Sequence, residues 1–273
     1  MDFIVESIKC IVIGVVEGIT EWLPISSTGH MLLVDEFLKM EMSDSFKEMF
    51  FIVIQLGAIL AVVLLFFKKM WPFSKDEKNY IKKDTFSLWF KVAFACIPGA
   101  VIGIAFDDLI DKHLSTPLII ATTLIIYGIW FIVIENKNKT SKPKINDLKD
   151  ITYKTAMFIG LFQVLSIIPG TSRSGATIIG GLLLGVSRVV AAEFTFFLAV
   201  PVMFGYSLIK LLKFGFIFSA FEVFILLLGM AVAFITSVFA IKFLMSYIKK
   251  HDFKVFGYYR IILGLLVILF MFI

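Results

Sequence analysis

Glu17 and Glu21 stand four residues apart in an apolar stretch that begins at Phe3. On a helix that spacing puts both carboxylates on one face, one turn apart. No lysine lies beside them, so they repel each other unless one holds a proton or a cation sits between them. A charge inside a bilayer costs roughly 2.5–3.5 kcal/mol on insertion scales, which marks such residues as a site by default. After Pro24 come Ser26, Ser27, Thr28 and Gly29, then His30, the only histidine in an apolar segment. One hydroxyl after a proline serves as an N-cap. Three in a row exceed what a cap requires. The helix N-terminus they open offers free N–H groups and a positive dipole end, which suit an anion. A histidine one turn inside can act as acid, base or phosphate contact.

A second polar cluster follows Pro169 and Gly170: Arg173 lies between Ser172 and Ser174, with Thr177 one turn along. An arginine at a helix N-terminus is repelled by the dipole. It makes sense there if an oxyanion is gripped bidentately by the guanidinium. Two helix N-termini, an arginine, hydroxyls, a histidine and two carboxylates together suit a phosphate-type anion. Glu17 and Glu21 would repel a bare anion, and a divalent cation bridging carboxylates and phosphate oxygens is the natural remedy. A hydroxyl beside a histidine suggests a serine nucleophile on phosphorus. Phosphoryl transfer asks mainly for positioning and charge stabilisation.

Other polar residues read as less informative. His113 and His251 fall beside charges and are expected in solvated loops, while Glu193 could pair with Arg188 or face the site. Trp71, Trp89 and Trp130 suit interfacial belts, and Trp22 suits either a belt or the wall of the site. Cys10 and Cys96 lie in apolar runs with no zinc-ligand spacing and read as small buried hydrophobes.

The elements that must position these groups follow from composition. Of 273 residues 59% are hydrophobic and 17% charged, against about 45–50% and about 25% in a soluble domain. Such a chain has no polar coat left after folding in water. That excludes a soluble enzyme, a disordered protein and a free-standing nucleic-acid binder. The net charge of +5 sits mostly on lysines between apolar segments, so it bears on orientation and not on nucleic acid. The expectation is an all-α, polytopic membrane protein. Asp2 and Glu6 replace the basic start of a cleavable signal, so the first helix is expected to remain.

Apolar runs near 49–67, 88–106, 117–134, 189–212, 221–245 and 256–273 predict six membrane-spanning helices. Two further stretches, 3–39 and 152–185, are interrupted at Pro24–Gly29 and Pro169–Gly175, and the pieces beyond, 28–39 and 175–185, are too short to span. Each stretch is expected to be a re-entrant helix pair. Lysines then cluster on one face: Lys68, Lys69, Lys75, Lys78, Lys82 and Lys83; Lys137, Lys139, Lys142, Lys144, Lys149 and Lys154; Lys249, Lys250 and Lys254. That face should be cytoplasmic, with both termini outside. Gln55–Val62 parallels Glu193–Val200, so the single membrane domain 1–273 reads as two repeats, 1–136 and 150–273. Each holds one re-entrant pair and three crossings. Three is odd, so the second repeat is inverted, and inverted repeats with broken helices place a ligand near the midplane.

A site wholly inside the membrane implies a substrate with an apolar tail. Pattern alone reaches a lipid phosphate or diphosphate hydrolase, or its transporter, without separating them. The run Glu17-Gly18-Ile19-Thr20-Glu21-Trp22-Leu23-Pro24-Ile25-Ser26-Ser27-Thr28-Gly29-His30 resembles the first signature of the bacterial undecaprenyl-diphosphate phosphatase family, also called the bacitracin-resistance family. Pro169-Gly170-Thr171-Ser172-Arg173-Ser174-Gly175-Ala176-Thr177 resembles the second. Length, hydropathy and spacing match over the whole chain.

The resemblance implies hydrolysis of undecaprenyl diphosphate to undecaprenyl phosphate and inorganic phosphate. It further implies recycling of the cell-wall lipid carrier, bacitracin resistance, a site open to the outer face of the cytoplasmic membrane, and a divalent cation, Mg2+ or Ca2+. Carried over by position, Ser27 is the nucleophile and His30 an acid/base group, although one version of the family's mechanism makes the histidine the nucleophile. Glu17 and Glu21 hold the cation or tune His30, and Arg173 grips the transferred group. Ser26, Thr28, Ser172, Ser174 and Thr177 line the diphosphate. Membrane acid phosphatases of the other lipid-phosphatase type need a second histidine soon after the arginine, and none follows Arg173. The stronger rival is a carrier that flips a prenyl phosphate, which the inverted repeat supports but which would not need a hydroxyl nucleophile.

Overall fold

Breaks at proline, glycine and hydroxyl residues divide the apolar sequence into helices of very different length. The computed structural model describes residues 3–74, 80–114, 116–139 and 142–270, and their side chains except those of 104 and 107–113. Among the described residues eleven α-helices follow one another: α1 Phe3–Thr20, α2 Ser27–Leu38, α3 Asp44–Val53, α4 Gln55–Met70, α5 Lys83–Leu114, α6 Pro117–Asn138, α7 Tyr153–Val164, α8 Arg173–Leu183, α9 Arg188–Phe214, α10 Ala220–Tyr247 and α11 Lys254–Phe270. The only β-type pairings among them are two isolated bridges, Phe73 with Ile81 and Ile145 with Val186.

Five segments are long and apolar enough to cross a bilayer: Asp44–Met70, Lys83–Gly103, Pro117–Asn138, Arg188–Phe214 and Ala220–Tyr247. The first of these is α3 and α4 joined end to end. The expected sixth crossing, 256–273, corresponds to α11, which is described for 17 residues to Phe270. Residues 271–273 lie outside the described residues, as do Lys75 and Lys78. His113 falls in the last turn of α5 and not in a loop, and its side chain is outside those described. Leu227, Ile235, Phe239 and Phe243 on α10, with Ile262, Leu265 and Leu269 on α11, are exposed. So large an apolar exterior suits contact with lipid.

Both interrupted stretches fold back on themselves. Lys9 Nζ donates to Lys39 O at 3.1 Å and Glu41 N donates to Glu6 Oε2 at 3.2 Å, so the end of α2 lies beside the start of α1. In the second stretch Lys144 N and Ile145 N donate to Gly185 O at 2.8 and 3.1 Å, and Ser187 N donates to Ile145 O at 2.9 Å. The chain after α8 therefore returns to the segment before α7.

Small residues let these hairpins lie close against long helices, as membrane helix contacts require. A Cβ on Gly160 of α7 would stand 2.2 Å from Ala95 O of α5, and Gln163 lies beside Gly99, so α7 and α5 run parallel. Gly14 beside Gly229 and Gly18 beside Ala233 make α1 and α10 parallel in the same way. Gly128 faces Gly257 and Gly264 faces Ala121, so α6 and α11 cross antiparallel. The α3–α4 rod is antiparallel to α9, tied by Lys210 to Glu48 at 2.7 Å and Lys69 to Glu193 at 2.6 Å. Glu193 thus pairs with Lys69, while Arg188 Nε donates to the fully buried Glu135 at 2.9 Å. At the centre, α8 is buried from Ser174 to Leu182 and α9 from Val190 to Ala199.

Candidate functional site

The two hairpin tips have the same local build. Ser26 precedes α2 with φ 73° and ψ 104°, and its hydroxyl accepts from Gly29 N. Ser172 precedes α8 with φ 70° and ψ 119°, and its hydroxyl accepts from Gly175 N. A positive φ is costly for a residue with a Cβ and persists where the surroundings hold it. Here the cap bond supplies part of that hold. The next residue in each tip, Ser27 or Arg173, opens the first turn of its short helix.

Glu21 joins the two tips. Its Oε2 accepts from Ser27 Oγ at 2.9 Å, and its Oε1 accepts from Arg173 Nη2 at 3.1 Å. Ser27 and Arg173 therefore meet through one carboxylate. Arg173 Nη1 donates to Thr195 O at 3.1 Å, and its guanidinium lies 5.9 Å from the Trp22 ring centroid. Trp22 is fully buried and packs edge-on against Phe196, so it walls the site and does not serve an interfacial belt. Glu17 is buried one turn before Glu21, and its Oε1 takes no hydrogen bond. An unpaired carboxylate oxygen in an apolar interior is expensive.

His30 lies in the same tip, and its two ring nitrogens meet groups other than Ser27. Nδ1 is 2.7 Å from Ser26 O and Nε2 is 2.7 Å from Tyr259 Oη, with the two rings stacked at 5.5 Å. A carbonyl only accepts, so Nδ1 carries the proton of that bond and a neutral His30 accepts from the phenol at Nε2. Ser27 takes Glu21, not His30, as its hydrogen-bond partner.

The hydroxyls divide into two groups. Ser174 is buried and donates to Glu21 O at 3.2 Å, fixing the first tip on α8. Thr195 donates to Thr177 at 2.8 Å, and Thr177 donates to Arg173 O at 2.9 Å, fixing the first turn of α8. The Ser26 hydroxyl is fully buried in its cap. These three expected lining residues, Ser26, Ser174 and Thr177, hold protein to protein. Ser172 is half-buried, 3.1 Å from Ser174 Oγ, and Thr28 is exposed.

Two residues in the site region come from α11 and were not singled out from the sequence. Tyr259 holds His30. Arg260 is fully buried and donates to backbone carbonyls of both tips. An arginine inside the apolar run 256–273 is itself a signal of function in a membrane helix. Its partners are carbonyls, which no side-chain pattern displays.

As a metal centre the site is partial. Among the described residues no group of three or more His, Cys, Asp or Glu could hold an ion. Glu17 and Glu21 offer hard carboxylate oxygens, one without a hydrogen bond, which fit a magnesium- or calcium-type cation if a phosphate completes the shell.

Fold and site define an integral-membrane protein whose serine, carboxylate and guanidinium groups gather where two folded-back helix pairs meet. Residues 10–266 match the family model described as bacitracin resistance protein BacA, and the chain belongs to that family. It is 69% identical over 271 residues to an undecaprenyl-diphosphatase of Enterococcus faecalis, covering 98% of each chain. Proteins of the same name from Lachnoclostridium phytofermentans and Desulfitobacterium hafniense are 67% and 63% identical, over 98% of this chain and 97% and 96% of theirs.

Proposed function

We propose that this chain hydrolyses undecaprenyl diphosphate to undecaprenyl phosphate and inorganic phosphate. That reaction returns the lipid carrier to cell-wall synthesis and confers bacitracin resistance. The observation that carries the reading is the Ser27–Glu21–Arg173 link, which sets a hydroxyl, a base for its proton and a phosphate-binding cation in one buried cluster. Relatives of the same name at 63–69% identity support it.

In the proposed reaction Ser27 Oγ attacks the terminal phosphorus while Glu21 accepts its proton. The bond from that phosphorus to the bridging oxygen breaks, and undecaprenyl phosphate leaves with the electron pair. Water then attacks the phosphorus and the bond to Ser27 Oγ breaks. Glu21 returns its proton to that oxygen, restoring the hydroxyl, and inorganic phosphate leaves as the water's proton passes to solvent. Arg173 exchanges part of its contact with Glu21 for the equatorial oxygens of the transferred group. His30 and Ser172 contact the diphosphate from the two tips, with the exposed Thr28 at the mouth. Glu17 and Glu21 hold a divalent cation, magnesium or calcium, which supplies charge neutralisation to the diphosphate when bound.

The same reading makes residues 1–136 and 150–273 inverted repeats with re-entrant pairs. Supporting it are the matched tips at Ser26 and Ser172, the return of each hairpin to its own starting end, and the pairing of α1 with α10 and of α7 with α5. The parallel and antiparallel directions of these pairs suit six crossings with the lysine-rich loops on one face and both termini on the other. The reading takes the lysine face as cytoplasmic and the site as open to the outer face. The test is phosphate release from a prenyl diphosphate by purified protein in detergent with magnesium. Release that Ser27→Ala abolishes is expected, and intact substrate after long incubation would overturn the phosphatase reading.

A further inference from the structure

Arg260 sits on α11 with no exposed surface. Its Nη2 donates to Gly170 O at 2.9 Å and to Thr171 O at 2.8 Å, and its Nη1 donates to Pro24 O at 3.4 Å. Those carbonyls belong to the two different hairpin tips, so one side chain spans both interruptions. Backbone carbonyls freed where a helix breaks inside an apolar protein need a donor. A guanidinium supplies several from one rigid fork. Gly175 makes room for it, since a Cβ there would stand 3.0 Å from Arg260 Nη1. The guanidinium also lies 5.6 Å from the Tyr127 ring centroid.

The first half has the same contact without the charge. Gly29 follows Ser26 as Gly175 follows Ser172, and a Cβ on Gly29 would stand 3.0 Å from Leu124 Cδ1 of α6. Leucine packs against one tip's glycine and arginine against the other's. Packing of the hairpins therefore does not require a charge at this place. What Arg260 adds is the link from Gly170 and Thr171 across to Pro24.

We infer that Arg260 is a positioning residue that clamps the two tips at the separation where Ser27 and Arg173 meet on Glu21. It acts through backbone carbonyls and is distinct from the substrate-gripping Arg173. The kinetic consequence rests on the phosphatase reading, whereas the clamp itself does not. Lysine at this position offers a point charge on a shorter fork-free stem and can serve one tip at a time.

The experiment takes full-length Arg260→Lys in detergent and reads two quantities. Amide hydrogen exchange should quicken in peptides covering both 24–29 and 170–176. With the prenyl diphosphate, kcat should fall by about tenfold to a hundredfold while KM stays within about threefold, because misplacement of reacting groups acts on the chemical step. Exchange altered only within α11, or kcat within about twofold of the parent, would overturn the clamp. If Arg260→Lys yields no folded protein, Gly175→Ala decides. It crowds Nη1 without removing a donor, and should loosen the 24–29 segment across the clamp and lower kcat. An unchanged 24–29 segment and kcat would overturn the inference. A parent protein that releases no phosphate would defeat the phosphatase reading, and the exchange measurement would still decide the clamp.

Discussion

Ser26 and Ser172 adopt the same unusual backbone, φ 73° and φ 70°, and each caps the glycine three residues on. In that register Ser27 corresponds to Arg173, Thr28 to Ser174 and Glu17 to Gln163. One backbone device is used twice with different side chains. The first tip presents the Ser27 hydroxyl and the second the Arg173 guanidinium, and both bond Glu21. Gln163 is buried with its Oε1 unbonded, as Glu17 Oε1 is, but carries no charge. The acidic character of the site comes from the first half alone.

The Ser27 bond to Glu21 sets the first expectation. Ser27→Ala should abolish phosphate release, and Glu21→Gln should lower kcat by about 10²–10⁴, the range of a general base. The amide keeps the shape but accepts the hydroxyl proton poorly. A Glu21→Gln enzyme within about tenfold of the parent would assign the proton elsewhere.

Arg173 reaches Glu21 and Thr195 O with separate nitrogens. Arg173→Lys keeps the charge but cannot hold both partners and a phosphoryl group together. Turnover should fall by about 10²–10³, as when one oxyanion donor is removed. Near-parent steady-state rates in that variant would remove the arginine from the chemistry.

Tyr259 bonds His30 Nε2 and stacks on the ring, yet is itself exposed. Tyr259→Phe keeps the stack and loses only the hydroxyl. One hydrogen bond is worth about 0.5–1.5 kcal/mol, so kcat/KM should drop by about twofold to tenfold with little change in thermal stability. A parent-like kcat/KM would make the tyrosine incidental to His30.

How far the sequence could be read depended on whether a feature was local. The breaks at Pro24–Gly29 and Pro169–Gly175 announced the two hairpins because proline, glycine and capping hydroxyls act on their own neighbours. The join between α3 and α4 at Ile54 has no such residue, and the expected run 49–67 gave no sign of it. Helix α5 runs past the expected end near 106 to Leu114, since apolarity and not helicity ends there. Pairings between distant elements were not visible at all. Lys69 with Glu193, and Arg260 with three carbonyls, join residues that only the packing of the two halves brings together. The division of hydroxyls was hidden for the same reason. Ser174 and Thr177 share a motif with Arg173, but burial commits them to Glu21 O and Arg173 O.

That commitment is testable. Ser174→Ala removes a buried donor and leaves Glu21 O short of a bond, costing about 1–3 kcal/mol of stability. Its melting temperature should fall while kcat per folded molecule declines far less than in Ser27→Ala. Loss of turnover equal to that of Ser27→Ala, with an unchanged melting curve, would return Ser174 to the diphosphate.

Glu17 offers a buried carboxylate oxygen that no hydrogen bond satisfies, one turn from Glu21. A hard divalent cation shared with diphosphate oxygens would give this buried oxygen a partner beside Glu21. Chelation should therefore stop phosphate release, and magnesium or calcium should restore it. Glu17→Gln should raise the cation concentration needed for half-maximal rate by about tenfold or more, because a neutral amide oxygen binds a hard cation far more weakly than a carboxylate. Chelator-resistant turnover would leave the carboxylate pair with Ser27 and Arg173 alone to serve, and would make the cation dispensable.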